Sequence, residues 1–397
     1  MWFKKQFSRF LKYPQFYTRT LYRTQSTQYN VDTITHIPEP EYNIDFLCNP
    51  CNRDIIFNNI AARKSIGDID KILELSKNPE LKKSLLHELN KIPNQTDPRV
   101  LSYGEEPQIL KECGRNPEFD FEPQEFSTLV TNLKAFKSKQ LGPLIGTRGY
   151  LFLGDLAELE EALVHFTVRK LMKHGFKLIS VPDIIPTEVI ERCGLIIDNG
   201  RHLVYNLSPF YGENYSLSGT AEMSLAYKVM NTVFSSEDLP LKMAAVSRCF
   251  RAEISNLIHE RSIYSSIILH YILNYLDFKF PNVTLSIYIF RKVDMEGWMP
   301  GRKLYGELSS CSNCTDYQSR RLRIKYKTNK GEVLHVHTLN GTACAVPRML
   351  IALCETHQTK HMRIQIPEIL IPYMAGKTLI KKQPIANMKL HKYKSQI

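Results

Sequence analysis

The chain has 397 residues, 43% of them hydrophobic and 23% charged, which is the composition of a globular protein with room for two or three domains. Its formal net charge of +12 favours a polyanionic partner, nucleic acid or an anionic membrane surface, and says nothing about fold. No run of eighteen or more apolar residues occurs, so no membrane-spanning helix is expected, and nine cysteines in a chain this long do not make a disulfide scaffold.

Residues 1–30 carry no acid, while Lys4, Lys5, Arg9, Lys12, Arg19 and Arg23 lie among aromatic and hydroxyl residues. That pattern reads as a mitochondrial transit peptide, with a basic arm for nucleic acid as the other reading. Residues 31–56 are rich in Pro and Asn and read as an irregular lead-in. Residues 58–90 space Ile66, Ile69, Ile72, Leu73, Leu75, Leu81, Leu85, Leu86 and Leu89 as helices do, and Asn78-Pro79 divides them into two short helices. Ile92-Pro93-Asn94-Gln95 and Asp97-Pro98 then form a linker.

Residues 155–174 predict one amphipathic helix, acidic at its start and basic at its end, stopped by Gly175. Strands are predicted over 176–181, 241–253 and 302–310, and an apolar helix over 343–358 entered from a turn at Gly341. The class is α+β, a sheet backed by helices, and no internal repeat is visible. Two C-x-x-C pairs, Cys48/Cys51 and Cys311/Cys314, suggest zinc, but no His stands at ligand spacing to either. Reduced structural thiols are the expected state.

Four short clusters place charge, hydroxyls and small residues inside apolar stretches, where they are costly unless used. They are Gly219-Thr220-Ala221-Glu222, then Arg248-Cys249-Phe250-Arg251-Ala252-Glu253, then Gly306 to Ser310 leading into Asn313-Cys314-Thr315-Asp316, and finally His337 to Thr342 with Arg348 beyond. Each alone could be a buried ion pair or a capping network. Together they hold arginines for phosphates, acids for a metal and an amine, and small polar groups for a polar ligand. No Gly-x4-Gly-Lys-Ser/Thr loop is present, so this is not a P-loop site.

Residues 337–373 resemble motif 3 of the seryl-tRNA synthetases, Phe250-Arg251-Ala252-Glu253 resembles the start of motif 2, and residues 174–186 with Pro182 resemble motif 1. Trp298-Met299-Pro300-Gly301 through Arg320-Arg321 resembles the stretch that brings the family's metal-binding acid. The resemblance implies a class II aminoacyl-tRNA synthetase catalytic domain, with a six- or seven-stranded antiparallel sheet flanked by helices and a short helical arm before it. It divides the chain into a transit peptide (1–30), a tRNA-binding arm (31–98), a catalytic domain (99–380) and a basic tail (381–397).

The resemblance implies that Arg251 binds the α-phosphate of ATP and the carboxylate of serine, and that Arg348 holds the γ-phosphate. Glu307 and Ser310 would ligate Mg2+, although residues three apart in a regular strand face opposite ways. Glu253 would contact the adenine end, Thr220 and Glu222 the serine ammonium, and Asn340 and Thr342 its hydroxyl and carboxylate. The activity implied is a mitochondrial-matrix serine–tRNA ligase that makes seryl-adenylate and then seryl-tRNA-Ser. It would act without a membrane, as a homodimer or as a heterodimer with a paralogue. A noncatalytic paralogue serving as an RNA-binding or dimer-partner protein is the alternative, and threonine or proline the alternative substrates.

The likeness stops at Ser262-Ile263-Tyr264 and resumes at Arg291, and residues 265–290 carry only Asp277 and Lys279 as charged groups. In the family this interval brings an adenine-stacking Phe and a serine-binding Glu. Here its composition resembles translated noncoding sequence. The arm is a stub beside the long coiled coil of cytosolic and bacterial relatives, with Lys64, Lys71, Lys77, Lys82 and Lys83 either on tRNA phosphates or simply solvated.

Overall fold

A computed structural model describes residues 37–63, 67–102, 108–114, 116–137, 150–195, 204–252 and 287–382, with the backbone of 278–279. The leader over 1–30, Lys64, Ile66, Glu253, the run 262–264, the interval 265–277 and the tail beyond 382 lie outside the described residues.

Three helices form the N-terminal group, α1 (Arg53–Ala62), α2 (Ile69–Leu75) and α3 (Lys82–Asn90). The Asp68 carboxylate caps α2 by accepting the Lys71 N–H at 3.1 Å, and Asn78 accepts the Glu80 N–H at 3.0 Å with Pro79 opening the next turn. Ile56, Ile60, Ile69, Ile72, Leu89 and Ile92 pack into their own core. The break at Asn78-Pro79 falls where the sequence put it. The lead-in, however, contains a helical turn over Ile44–Leu47 and the start of α1, because Asn49 caps the turn that follows it by accepting the Cys51 N–H.

After the linker come α4 (Phe126–Asn132) and α5 (Asp155–Lys173). Helix α5 has Asp155 and Glu158 in its first turn and Lys170 and Lys173 in its last, and Gly175 leaves it at φ +85°. Next are β1 (Lys177–Leu178), β2 (Ile184–Pro186), α6 (Thr187–Arg192), β3 (Tyr215–Leu217), α7 (Ala221–Lys228), β4 (Val233–Ser235) and β5 (Met243–Ala244). The last third holds β6 (Arg291–Met299), β7 (Leu304–Thr315), α8 (Tyr317–Leu322), β8 (Lys325–Lys327), β9 (Val333–His335), β10 (Thr338–Thr342) and α9 (Val346–Thr356).

Strands β6, β7 and β10 pair antiparallel in that order. The main core lies behind this sheet, where Met299 and Leu308 meet Leu350 and Ile351 of α9, Leu156, Leu159 and Leu163 of α5, and Phe126 and Leu129 of α4. A second core joins Ile185, Val189, Met223, Phe234, Leu322 and Ile324 beneath α6, α7 and α8.

Several boundaries differ from the sequence reading. The strands expected over 176–181 and 241–253 pair only as β1 and β5, in parallel. Pro182 has no N–H to extend β1, and Phe250 bonds Ser218 across the α7 turn instead. Strand β7 starts at Leu304 and runs on to Thr315. Gly341 lies inside β10 opposite Cys311 rather than in a turn, and α9 begins only at Val346 with Pro347 in its first turn. Of the six- or seven-stranded antiparallel sheet, the described residues hold a three-stranded ladder.

Glu355 is a buried carboxylate at the end of α9 that accepts N–H groups from Phe126 (2.8 Å), Gly301 (2.9 Å) and Arg302 (3.1 Å). It ties α4 and the β6–β7 turn to α9. Glu355→Ala leaves three N–H groups without their acceptor at about 1–3 kcal/mol each where buried. Thermal unfolding is expected to show a loss of several kcal/mol, and an unchanged Tm would refute this role.

Candidate active site

The pairing of β6 with β7 contains one irregularity. Asp294 faces Ser310, but Glu296 faces Glu307, so Leu308 is an extra residue on β7. Asp294 and Glu296 are two apart and share a face, and their partners therefore do too. The bulge thus turns Glu307 and Ser310 to the same side although they are three apart. Opposite Ser310 stands Thr342, and opposite Ser312 stands Asn340. One face of the sheet accordingly carries Glu296, Asp294, Lys292, Glu307, Ser310, Ser312, Thr342 and Asn340, while the other rests on α9.

At one end of this face, Lys292 Nζ lies 2.6 Å from Asp294 Oδ2 and 3.3 Å from Glu307 Oε2, and Arg348 Nη2 reaches Glu307 Oε1 at 3.5 Å. Asp294 is 1% exposed, and its Oδ1 has no hydrogen-bond partner among the described residues. Burial, with Glu307 close by, pushes the Asp294 carboxyl up to about 7 against the pull of Lys292.

At the other end, Glu222 enters from the first turn of α7. The Thr220 hydroxyl caps that helix by accepting the Glu222 N–H at 3.3 Å, and Arg251 Nε donates to the Gly219 carbonyl at 3.2 Å. Glu222 Oε1 accepts from Gln318 Nε2 and from Asn340 Nδ2, both at 2.5 Å. Thr338 donates to Gln318 Oε1 at 2.8 Å, and Asn340 Nδ2 also lies 3.1 Å from Cys314 Sγ. Glu222, Gln318 and Asn340 are all buried, so this is a buried polar knot, and Glu222, Gln318 and Thr338 also line a cavity of about 780 Å³.

Thr220, Glu222, Arg251 and Asn340 are therefore gathered at one end, and Glu307 and Arg348 at the other. The cross-strand pair of Ser310 and Thr342 lies between. Glu253 lies outside the described residues. Gln318, Lys292 and Asp294 were not singled out from sequence. The alternation of Lys292, Asp294 and Glu296 along one strand was a readable signal for the latter two, whereas Gln318 had none. The zinc reading gains no support: no group of three His, Cys, Asp or Glu among the described residues is arranged for a metal. Lys71 and Lys82 are paired with Glu88 and Glu39.

Residues 261–357 match the family described as the tRNA synthetase class II core domain (G, H, P, S and T). A serine–tRNA ligase of Treponema denticola is 35% identical over 348 residues, covering 79% of this chain and 81% of that protein. The chain belongs to the seryl-tRNA synthetases. It is also 35% identical over 329 residues to a mitochondrial serine–tRNA ligase of Mus musculus and 36% identical over 318 to one of Bos taurus. These alignments cover 74% and 72% of this chain but 63% and 61% of the mammalian proteins, so it spans a little over three fifths of their length.

Two solved seryl-tRNA synthetases share the fold at 23% identity. That of Pyrococcus horikoshii complexed with ATP superposes with a TM-score of 0.69, over 86% of this chain and 90% of its own. The cytoplasmic enzyme of Naegleria fowleri in complex with AMP gives 0.70, over 88% and 100%. Among the described residues no helix is long and apolar enough to cross a membrane.

Burial raises the Glu222 carboxyl from the ordinary 4.5 to about 7, against the opposing pull of Gln318 and Arg251. Below pH 4.5 the group is protonated in both the folded and the unfolded chain. Between 4.5 and 7 only the folded chain keeps the proton, so its contribution to stability falls as pH rises and levels off above 7. Against the isosteric Glu222→Gln, which does not titrate, the wild type is expected to lose up to about 1.4 kcal/mol per pH unit across that window. Denaturant melts of the two proteins from pH 4.5 to 8 check this, and parallel profiles would contradict it.

Proposed function

We propose that this chain is a mitochondrial serine–tRNA ligase that joins serine to ATP as seryl-adenylate and passes the seryl group to tRNA-Ser in the matrix. The observation that carries the reading is the polar face of the β6–β7–β10 sheet, which has a buried carboxylate knot at one end and a carboxylate–arginine pair at the other. An amino acid and a triphosphate differ in just this way, one presenting an ammonium and the other a chain of anionic oxygens. The names of the mouse and cattle relatives support both the reaction and the compartment.

In this reading Glu222 takes the serine ammonium beside Thr220, and Asn340 and Thr342 meet its hydroxyl and carboxylate. Arg251 bridges the serine carboxylate and the α-phosphate, holding the two for in-line attack. Arg348 takes the γ-phosphate, and Glu253 the adenine end. A pocket that hydrogen-bonds a hydroxyl discriminates against alanine, because its buried polar groups would go unmet. Glu307 and Ser310 are hard oxygen donors turned to one face by the bulge, with the buried, incompletely bonded Asp294 opposite Ser310 on that face, and this donor set suits Mg2+. When bound, Mg2+ would neutralise phosphate charge. The arm over 31–98 is a tRNA contact, and the functional unit a dimer, in this reading.

Serine-dependent ATP–pyrophosphate exchange with the full chain is the test. Exchange with serine, and little with alanine or threonine, is the expected result. Absence of exchange would favour the noncatalytic paralogue. Sequencing the transcript across residues 262–292 separates that outcome from an altered motif 2, since a recovered Tyr-Arg-x-His-x-Phe-x-Lys-x-Glu stretch would restore the missing groups.

A further inference from the structure

The triphosphate end of the face holds a cation of the protein's own. Lys292 Nζ sits between two carboxylates, 2.6 Å from Asp294 Oδ2 and 3.3 Å from Glu307 Oε2. The lysine stands two residues before Asp294 on β6, and its cross-strand partner is Ser312. It therefore shares a face with Asp294, Glu307 and Ser310. Its side chain is 21% exposed and that of Asp294 fully buried, so the pair is shielded from solvent on most sides and its attraction is stronger than that of a surface ion pair. Arg348 approaches the other Glu307 oxygen at 3.5 Å, which leaves Glu307 with a cationic neighbour at each oxygen.

We propose that Lys292 is a built-in counter-cation that excludes a resident divalent ion from Glu307 in the nucleotide-free protein. The inference rests on the reading of Glu307 as the metal-side carboxylate. A divalent ion and the ammonium want the same Glu307 oxygen, and both cannot hold it at contact distance without strong repulsion. Metal therefore enters this site with the triphosphate, whose oxygens provide Lys292 with a new partner as it leaves Glu307. A lysine suits such an exchange, since its charge sits on a flexible stem and needs no fixed fork geometry.

The probe is Mn2+ alone, followed by electron paramagnetic resonance on the full chain without ATP, serine or tRNA. Wild type is expected to lack a stoichiometric Mn2+ site. K292M keeps the aliphatic stem and removes the charge, and is expected to gain a site at least on the order of tenfold tighter. That site should disappear again in K292M/E307Q, while K292R should behave as wild type. Stoichiometric binding by wild type that is lost in E307Q would overturn the proposal, whether or not K292M folds, and so would equal Mn2+ affinity in wild type and folded K292M. Pyrophosphate exchange measured separately keeps the two readings apart. A chain with no serine-dependent exchange whose K292M gains Mn2+ refutes the activity and leaves the counter-cation. Exchange together with a resident Mn2+ in wild type does the reverse.

Discussion

Arg348→Ala is expected to slow serine-dependent pyrophosphate exchange by about two to three orders of magnitude while leaving the melting temperature nearly unchanged. The two halves of that expectation come from the same geometry. Arg348 projects from the first turn of α9, whose packing is carried by Val346, Leu350, Ile351 and Cys354. Its side chain is 29% exposed and touches Glu307 only at 3.5 Å, a long and partly solvated ion pair of at most about 1 kcal/mol. Little folding energy is lost with it. A triphosphate at Glu307 would lose its nearest arginine, and a loss of charge stabilisation in the reacting complex appears in kcat rather than in Tm. Arg348→Lys should recover part of the rate, since charge returns without the bidentate fork. Near-wild-type exchange by Arg348→Ala would remove Arg348 from the phosphate site.

How much of this was legible in the sequence depended on the distance over which each feature is decided. Helix α5 was readable almost to the residue, because its apolar period, its end charges and Gly175 are all local. The short parallel pairing of β1 with β5 was not, because a two-residue strand leaves no period to detect. The site divides in the same way. Glu222, Arg251, Glu307, Asn340 and Arg348 stood out as polar residues in apolar surroundings. That Glu307 and Ser310 share a face could not be read from β7 alone, since the bulge at Leu308 exists only in its register with β6. Gln318 lies 96 residues from Glu222 in the chain, and a glutamine on a short helix carries no mark of such a contact. The residues singled out by the motif resemblance fall largely on one face of the sheet, and pairing between strands decided which groups meet there.

Glu222→Ala is expected to damage both stability and activity, and comparison with Glu222→Gln separates the two. Glu222 Oε1 is the acceptor for the Gln318 and Asn340 amides, and all three residues are buried. Removing the carboxylate leaves two buried N–H donors without this acceptor, at about 1–3 kcal/mol each, and opens a cavity. A loss of several kcal/mol in denaturant unfolding follows. Glu222→Gln fills the same space and keeps an acceptor oxygen, and the carboxyl it replaces already holds its proton up to about pH 7, so its neutral form suits the site. Its stability should therefore match wild type near pH 4.5 and exceed it at neutral pH, where the wild type has lost up to about 3 kcal/mol through this group. It no longer offers a negative charge to an ammonium, and a lost charge-assisted bond to a buried group weakens serine binding by about 1.5–3 kcal/mol, or roughly tenfold to a hundredfold in KM. The same argument gives the wild type a serine KM that falls as pH rises through about 7, and Glu222→Gln a flat profile from this group. A Glu222→Gln protein with wild-type serine KM and the wild-type pH dependence would mean that the knot is only a structural tie and that the ammonium is bound elsewhere.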